Sequence, residues 1–243
     1  MKTPTNFKNS LLNLCLVGLA ALFFTGCAST KVTNREQLVT GKIPRPATIW
    51  VYDFVATPAD VPANSALADE KELDTTPQTA EQIAEGKKLG AQIATEMVAQ
   101  INSLGMSAAQ ASTDSKPKVN DLVIRGYLLS VQEGSAAKRV AIGFGSGAAE
   151  LHTLVEGFQV TPTGERKLGS GTVAADGGKS PGAVLGVAVF LATKNPAGLI
   201  ISGGMHVYGE ASGSSTVEGR AKSTAKEITD VLKQRFQQQG WID

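Results

Sequence analysis

Asp121-Leu-Val-Ile-Arg-Gly-Tyr-Leu-Leu-Ser-Val131 is the stretch that decides the fold. Its apolar side chains fall on both parities of a period-two pattern, and Val123, Ile124, Tyr127 and Val131 favour extended backbone. A strand apolar on both faces is covered on both, so this segment predicts the centre of a sheet. Upstream, Leu89, Ile93, Met97 and Ile101 recur every four residues, the stripe of a helix over residues 80–104. Thr79 with Gln82 reads as its capping box and Gly105 as its stop. Gly86, Gly90 and Ala91 are small enough to let that helix lie close to a sheet. Further upstream, Ala47–Phe54 is β-branched and aromatic and reads as a strand. Residues 56–79 hold three prolines and several acids and read as a surface loop too polar to pack.

Downstream, residues 148–161 and Lys167–Ala175 read as two strands, joined at Thr161-Pro-Thr-Gly-Glu165 into a hairpin. A last helix is expected at 216–239, with Ser215 and Glu218 as its capping box, Ile228, Leu232 and Phe236 in its stripe, and Gly240 after it. These elements predict an α/β fold, α+β-like in layout: a mixed β-sheet with helices about 80–104 and 216–239 packed on one face. A glycine-rich insertion at 177–213 completes it; 17 of the 26 glycines lie between residues 134 and 213. Within it, Gly182–Thr193 is apolar without alternation and resumes as Ala197–Tyr208 after Lys194-Asn-Pro196. Its burial is open to three readings: internal core, a surface completed by a second copy or an envelope partner, or membrane contact.

The amino terminus carries an address. Lys2 and Lys8 precede an apolar run over residues 11–24, too short for a bilayer core that takes roughly 20 apolar residues as a helix. The run ends in Phe23-Phe-Thr-Gly-Cys-Ala-Ser29, small residues placed just before a cysteine. This resembles the cleavage box of bacterial lipoproteins. The resemblance implies removal of a signal peptide, residues 1–26, and acylation of Cys27, with residues 27–46 as a lipidated tether and 47–243 as a single periplasmic domain. Ala28, in place of Asp, points to the outer membrane facing the periplasm. Cys15 would leave with the signal, so the mature chain has no thiol for catalysis or a disulfide.

Charge and motifs exclude more than they select. Lys and Arg number 23 against 22 Asp and Glu, so no basic field draws the chain to nucleic acid. The two histidines, His152 and His206, lie far apart in sequence and cannot by themselves make a His-based zinc site. Gly143-Phe-Gly-Ser-Gly147 has its third glycine one residue early for a dinucleotide loop, and a strand-like segment follows it. Gly178-Lys-Ser180 ends like a phosphate loop, but Val173 stands where the first glycine belongs and Pro181 removes an amide. Asp53, Asp121, Asp176 and Glu210 are the acids that folding would have to bring together for a hydrolase. Trp50, Tyr52 and Trp241 read as core anchors ahead of ligand-stacking groups.

The lipobox, the Ile49-Trp-Val-Tyr-Asp-Phe54 strand, the helix, the Asp121–Val131 strand, Ile142-Gly-Phe-Gly-Ser-Gly147, the Thr163-Gly164 turn and the final helix follow one another in that order. The order resembles bacterial lipoproteins carrying domain of unknown function 4410, over most of residues 47–243. The apolar stretch Gly182–Tyr208 departs from that pattern in length and composition. In architecture the layout is also similar to the periplasmic α/β domains of curli-secretion-channel lipoproteins and to the amino-terminal domain of the Tol-system propeller protein. The resemblance implies no established activity, no cofactor and no catalytic residues. The expectation is a lipid-anchored envelope protein that binds a protein or envelope component without catalysis. One alternative is a secretion or assembly subunit that self-associates through Gly182–Tyr208. Another is a hydrolase in which Asp53 and Asp121 converge.

Overall fold

The computed structural model describes residues 30–65, 67, 78–132, 150–175, 200–201 and 217–243. Strand β4 (Leu122–Gln132) is central, as its two-faced apolarity requires. On one side it pairs antiparallel with β5 (Glu150–Thr161). On the other it pairs parallel with β2 (Ile49–Tyr52) and, further along, with the short β7 (Ile200–Ile201). The sheet runs β1 (Thr30–Gln37), β6 (Gly164–Ala175), β5, β4, β2, β3 (Ala108–Ala111). Parallel pairing of β2 and β3 needs a crossover, which α1 (Ala80–Ser103) supplies; α2 (Val217–Gln239) closes the chain.

Local signals set the helix ends. Thr79 Oγ1 accepts from the Gln82 amide at 3.2 Å, while the Thr79 amide donates to Gln82 Oε1 at 2.9 Å. Gly105 and Gly240 take φ of 78° and 75° past the two helices, and the Trp241 amide donates back to Phe236 O at 2.9 Å. No helix among the described residues is long and apolar enough to cross a membrane.

Both helices pack on one face. Leu89, Ile93, Met97 and Ile101 of α1 join Ala221, Ala225, Ile228 and Phe236 of α2 over Ile49, Val51, Leu122, Ile124 and Leu128. Close approach depends on Gly90: a Cβ there would stand 2.1 Å from Phe54 O. The other face of β4 and β5 carries Tyr127, Leu129 and Leu154, covered by Val61 and Leu67 from the loop after β2.

Three features differ from the sequence reading. Residues 27–46 read as a tether, yet residues 30–37 form β1, an antiparallel partner of β6. The loop after β2 read as too polar to pack, yet Ala56, Val61, Ser65 and Leu67 are buried. A few apolar groups suffice, because β4 leaves an apolar strip for them to cover. Strand β3 escaped the reading altogether. Its four residues, three of them alanines, are held by pairing with β2 and by the Asn102 side chain, which bonds both Ala108 O and Ala108 N. The Ser215 capping box and, apart from Ile200–Ile201, the glycine-rich insertion lie outside the described residues.

The sheet has two unlike ends. The end of β4, the starts of β5 and β1, the end of β6 and all of β7 meet at one of them. Cys27 lies three residues before Thr30, which pairs there with Ala175. The start of β4 and the final turns of α2 share the opposite end.

Candidate functional site

A cavity of about 200 Å³ opens between α2 and the sheet, reaching from Leu122 at that opposite end to Val32 and Val173. The exposed sequence of α2 still keeps one apolar face: Ile228, Val231, Leu232 and Phe236 line the cavity three and four residues apart, with Trp241 just beyond the helix. Facing them are Val155, Gly157 and Phe158 of β5 and Leu168 to Gly171 of β6. The glycines create the space. Gly157 shares the helix-facing side with Ile124, its register partner on β4, and a Cβ built on it meets nothing within 4 Å. At Gly169 a Cβ would instead stand 2.3 Å from Glu36 O, so that glycine admits the β1 backbone beside the cavity. Segment 38–43 closes one side. It is fastened to α2 by Gln239, whose Oε1 accepts from the Ile43 amide at 2.8 Å and whose Nε2 donates to Gly41 O at 3.2 Å.

The lining is chiefly apolar, with Arg35, Glu36 and Arg235 as its charged members. The Glu36 carboxylate accepts from Ser170 Oγ at 3.2 Å and lies 4.0 Å from Lys167 Nζ. The space is partly open to solvent, so a guest can enter it. Apolar voids stay dry and accept apolar guests. Binding is therefore the chemistry this arrangement offers.

On the other face, titratable groups are paired structurally. Arg125 makes a bidentate pair with Glu165, Nη2 to Oε1 at 2.9 Å, and its guanidinium lies between the rings of Tyr52 and Phe158 at 5.4 and 5.2 Å. Asn64 Nδ2 donates to Glu165 Oε2 at 3.0 Å and so ties the covering loop to the hairpin. Glu156 is fully buried with Lys167 Nζ 2.7 Å from its Oε1. Burial, first of all, raises the Tyr127 hydroxyl above the usual tyrosine range.

The acids singled out from sequence do not meet. Asp121, 3% exposed, accepts from the Thr48 and Lys118 amides at 3.1 and 2.9 Å and from Trp50 Nε1 at 2.9 Å. It is a knot holding the starts of β2 and β4 together. Asp53 lies past the other end of β2, exposed, with its carboxylate taken by Gln110 Nε2. Asp121 lies at the level of Thr48, five residues along the chain from Asp53 and roughly 16 Å away, so the hydrolase arrangement of Asp53 with Asp121 does not form. His152 is buried on β5, on the side away from the helices. Among the described residues no three His, Cys, Asp or Glu are grouped to hold a metal. Trp50 and Tyr52 are half-buried on β2, while Trp241 is buried, packs on Phe236 at 5.6 Å and lines the cavity. Cys27, Gly143–Gly147, Asp176, Gly178–Ser180, His206 and Glu210 lie outside the described residues. The cavity itself escaped the sequence reading. Its signal was Gly157, Gly169 and Gly171 in two paired strands opposite the Ile228–Phe236 stripe.

Residues 49–193 match the profile of the domain of unknown function DUF4410. The chain belongs to that family. The match begins with the first residue of β2 and leaves β1 and α2 outside it, so the cavity of this DUF4410 protein is built from both matched and unmatched segments. No curated protein matches the chain in sequence. Two solved structures, both PelC dodecamers from Paraburkholderia phytofirmans and one of them a point variant, are each 10% identical with a TM-score of 0.36. In both cases the alignment covers 70% of this chain and 98% of the PelC chain. A likeness that loose says nothing about the assembly of this chain.

Proposed function

We propose that this chain is a lipoprotein of the bacterial outer membrane, anchored through Cys27 and facing the periplasm, that works by holding a guest between α2 and the sheet. The observation that carries the reading is the glycine-floored apolar cavity, a space of about 200 Å³ that the described residues leave unfilled. The anchor reading is supported by the lipobox sequence.

Gly157→Leu separates this reading from a merely loose core. The side chain enters space that is empty, so the variant keeps or gains stability while filling the cavity. Solvent extraction of the chain purified from its own membranes, followed by mass spectrometry, is expected to release a small molecule from the wild type and none from Gly157→Leu. Identical extracts from both proteins contradict the proposal.

A further inference from the structure

The guest's chemistry can be narrowed from the shape and charge of the lining. The lining residues of α2 run from Ile228 to Gln239, about 16 Å of helix, long enough to lie along an extended alkyl chain. Charge sets the other half. Arg35 comes from β1 and Arg235 from α2, two elements far apart in sequence that line the same space. The one acid of the lining, Glu36, accepts from Ser170 Oγ at 3.2 Å and lies 4.0 Å from Lys167 Nζ. Arg35 has no ion pair among the described residues, and Arg235 Nη1 donates to the neutral Gln238 Oε1 at 2.9 Å. The cavity thus has apolar walls and two arginines in its lining with no carboxylate paired to them among the described residues. Guanidinium donors match a carboxylate in a fork.

We propose that the cavity binds a single-chain amphipath with an anionic head, a fatty-acid carboxylate, with the alkyl chain along α2 and the head at Arg35 and Arg235. This rests on the reading of the chain as a binding protein, whose own test is independent of ligand class. Burial of each further methylene contributes about 0.8 kcal/mol, so affinity rises roughly fourfold per carbon until the cavity is full.

Trp241 in the lining gives a direct readout. The mature chain in lipid nanodiscs is titrated with 12-bromododecanoate, whose bromine quenches indole emission on contact, and in parallel with 12-bromododecanol. The Trp241→Phe chain supplies the background from Trp50. The acid is expected to quench saturably, and Arg35→Gln with Arg235→Gln to raise its half-quenching concentration at least fivefold while leaving the alcohol unchanged. Gly157→Leu, checked for an unaltered melting temperature, should abolish quenching by both, with Gly157→Val as the smaller replacement should leucine perturb the fold. Equal quenching by acid and alcohol, insensitive to the arginines, overturns the anionic head while the extraction result above still stands. Absence of quenching by either compound overturns the alkyl-chain assignment as well.

Discussion

The hydroxyl of Tyr127 is enclosed between β4 and the loop after β2, with Ser65 and Glu156 the polar groups that bear on it. Loss of solvent raises its pKa above the unfolded value near 10, and the Glu156 charge adds to the rise, while Ser65 and Arg125 oppose it. The folded state therefore holds this proton more tightly than the unfolded state. The associated stability is fully present below about pH 10 and is lost as pH climbs above it toward the folded value. The melting temperature of the wild type should fall more steeply between about pH 9 and 11 than that of Tyr127→Phe. Parallel slopes would show that the hydroxyl gains nothing from burial. At this scale the sequence was a partial guide. Asp121 stood out as an acid at the start of a strand, and it is indeed buried and much used. Its use is to bind two amides and the Trp50 indole, a convergence set by the parallel pairing of β2 with β4 that no local pattern encodes.

Among the elements, α1 and its seat on the sheet were the most legible, because cap, stripe and stop all lie within the same 27 residues from Thr79 to Gly105. The small residues on its buried face foretold a close approach, and Phe54 is what approaches. Its amide donates to Gly90 O at 3.2 Å, and its ring occupies the place a side chain at Gly126 would need, with ring atoms 2.3 Å from a Cβ there. In a free helix Gly90→Ala gains up to about 1 kcal/mol from propensity. Here the added Cβ collides with rigid backbone, and the net effect should be a loss of about 2 kcal/mol, read from chemical denaturation. A neutral or stabilised Gly90→Ala would mean that α1 does not lie this close. Strands β1 and β3 were illegible for opposite reasons. The charged and polar residues of β1, Lys31, Arg35 and Glu36 among them, suit an edge strand as well as a tether, and only pairing with β6 decides. Strand β3 has three alanines and one glutamine, with no β-propensity to detect.

Over the whole molecule, the cavity under α2 runs along the sheet from Leu122 to Val32 and Val173, close to the end at which Thr30 begins β1. The mixed sheet with both helices on one face was readable from the alternation of periods along the chain. The cavity was not, since it is a deficit of side chains where β5, β6 and α2 come together. Each of those elements looks ordinary alone. On this account a short amino-terminal segment holds a cavity-bearing domain at a membrane, and the tie is covalent. Mass spectrometry of the amino-terminal peptide of the chain purified from membranes tests that claim. The account predicts a peptide that begins at Cys27 and carries acyl chains on it. A peptide that begins anywhere else, or a Cys27 without lipid, would contradict it.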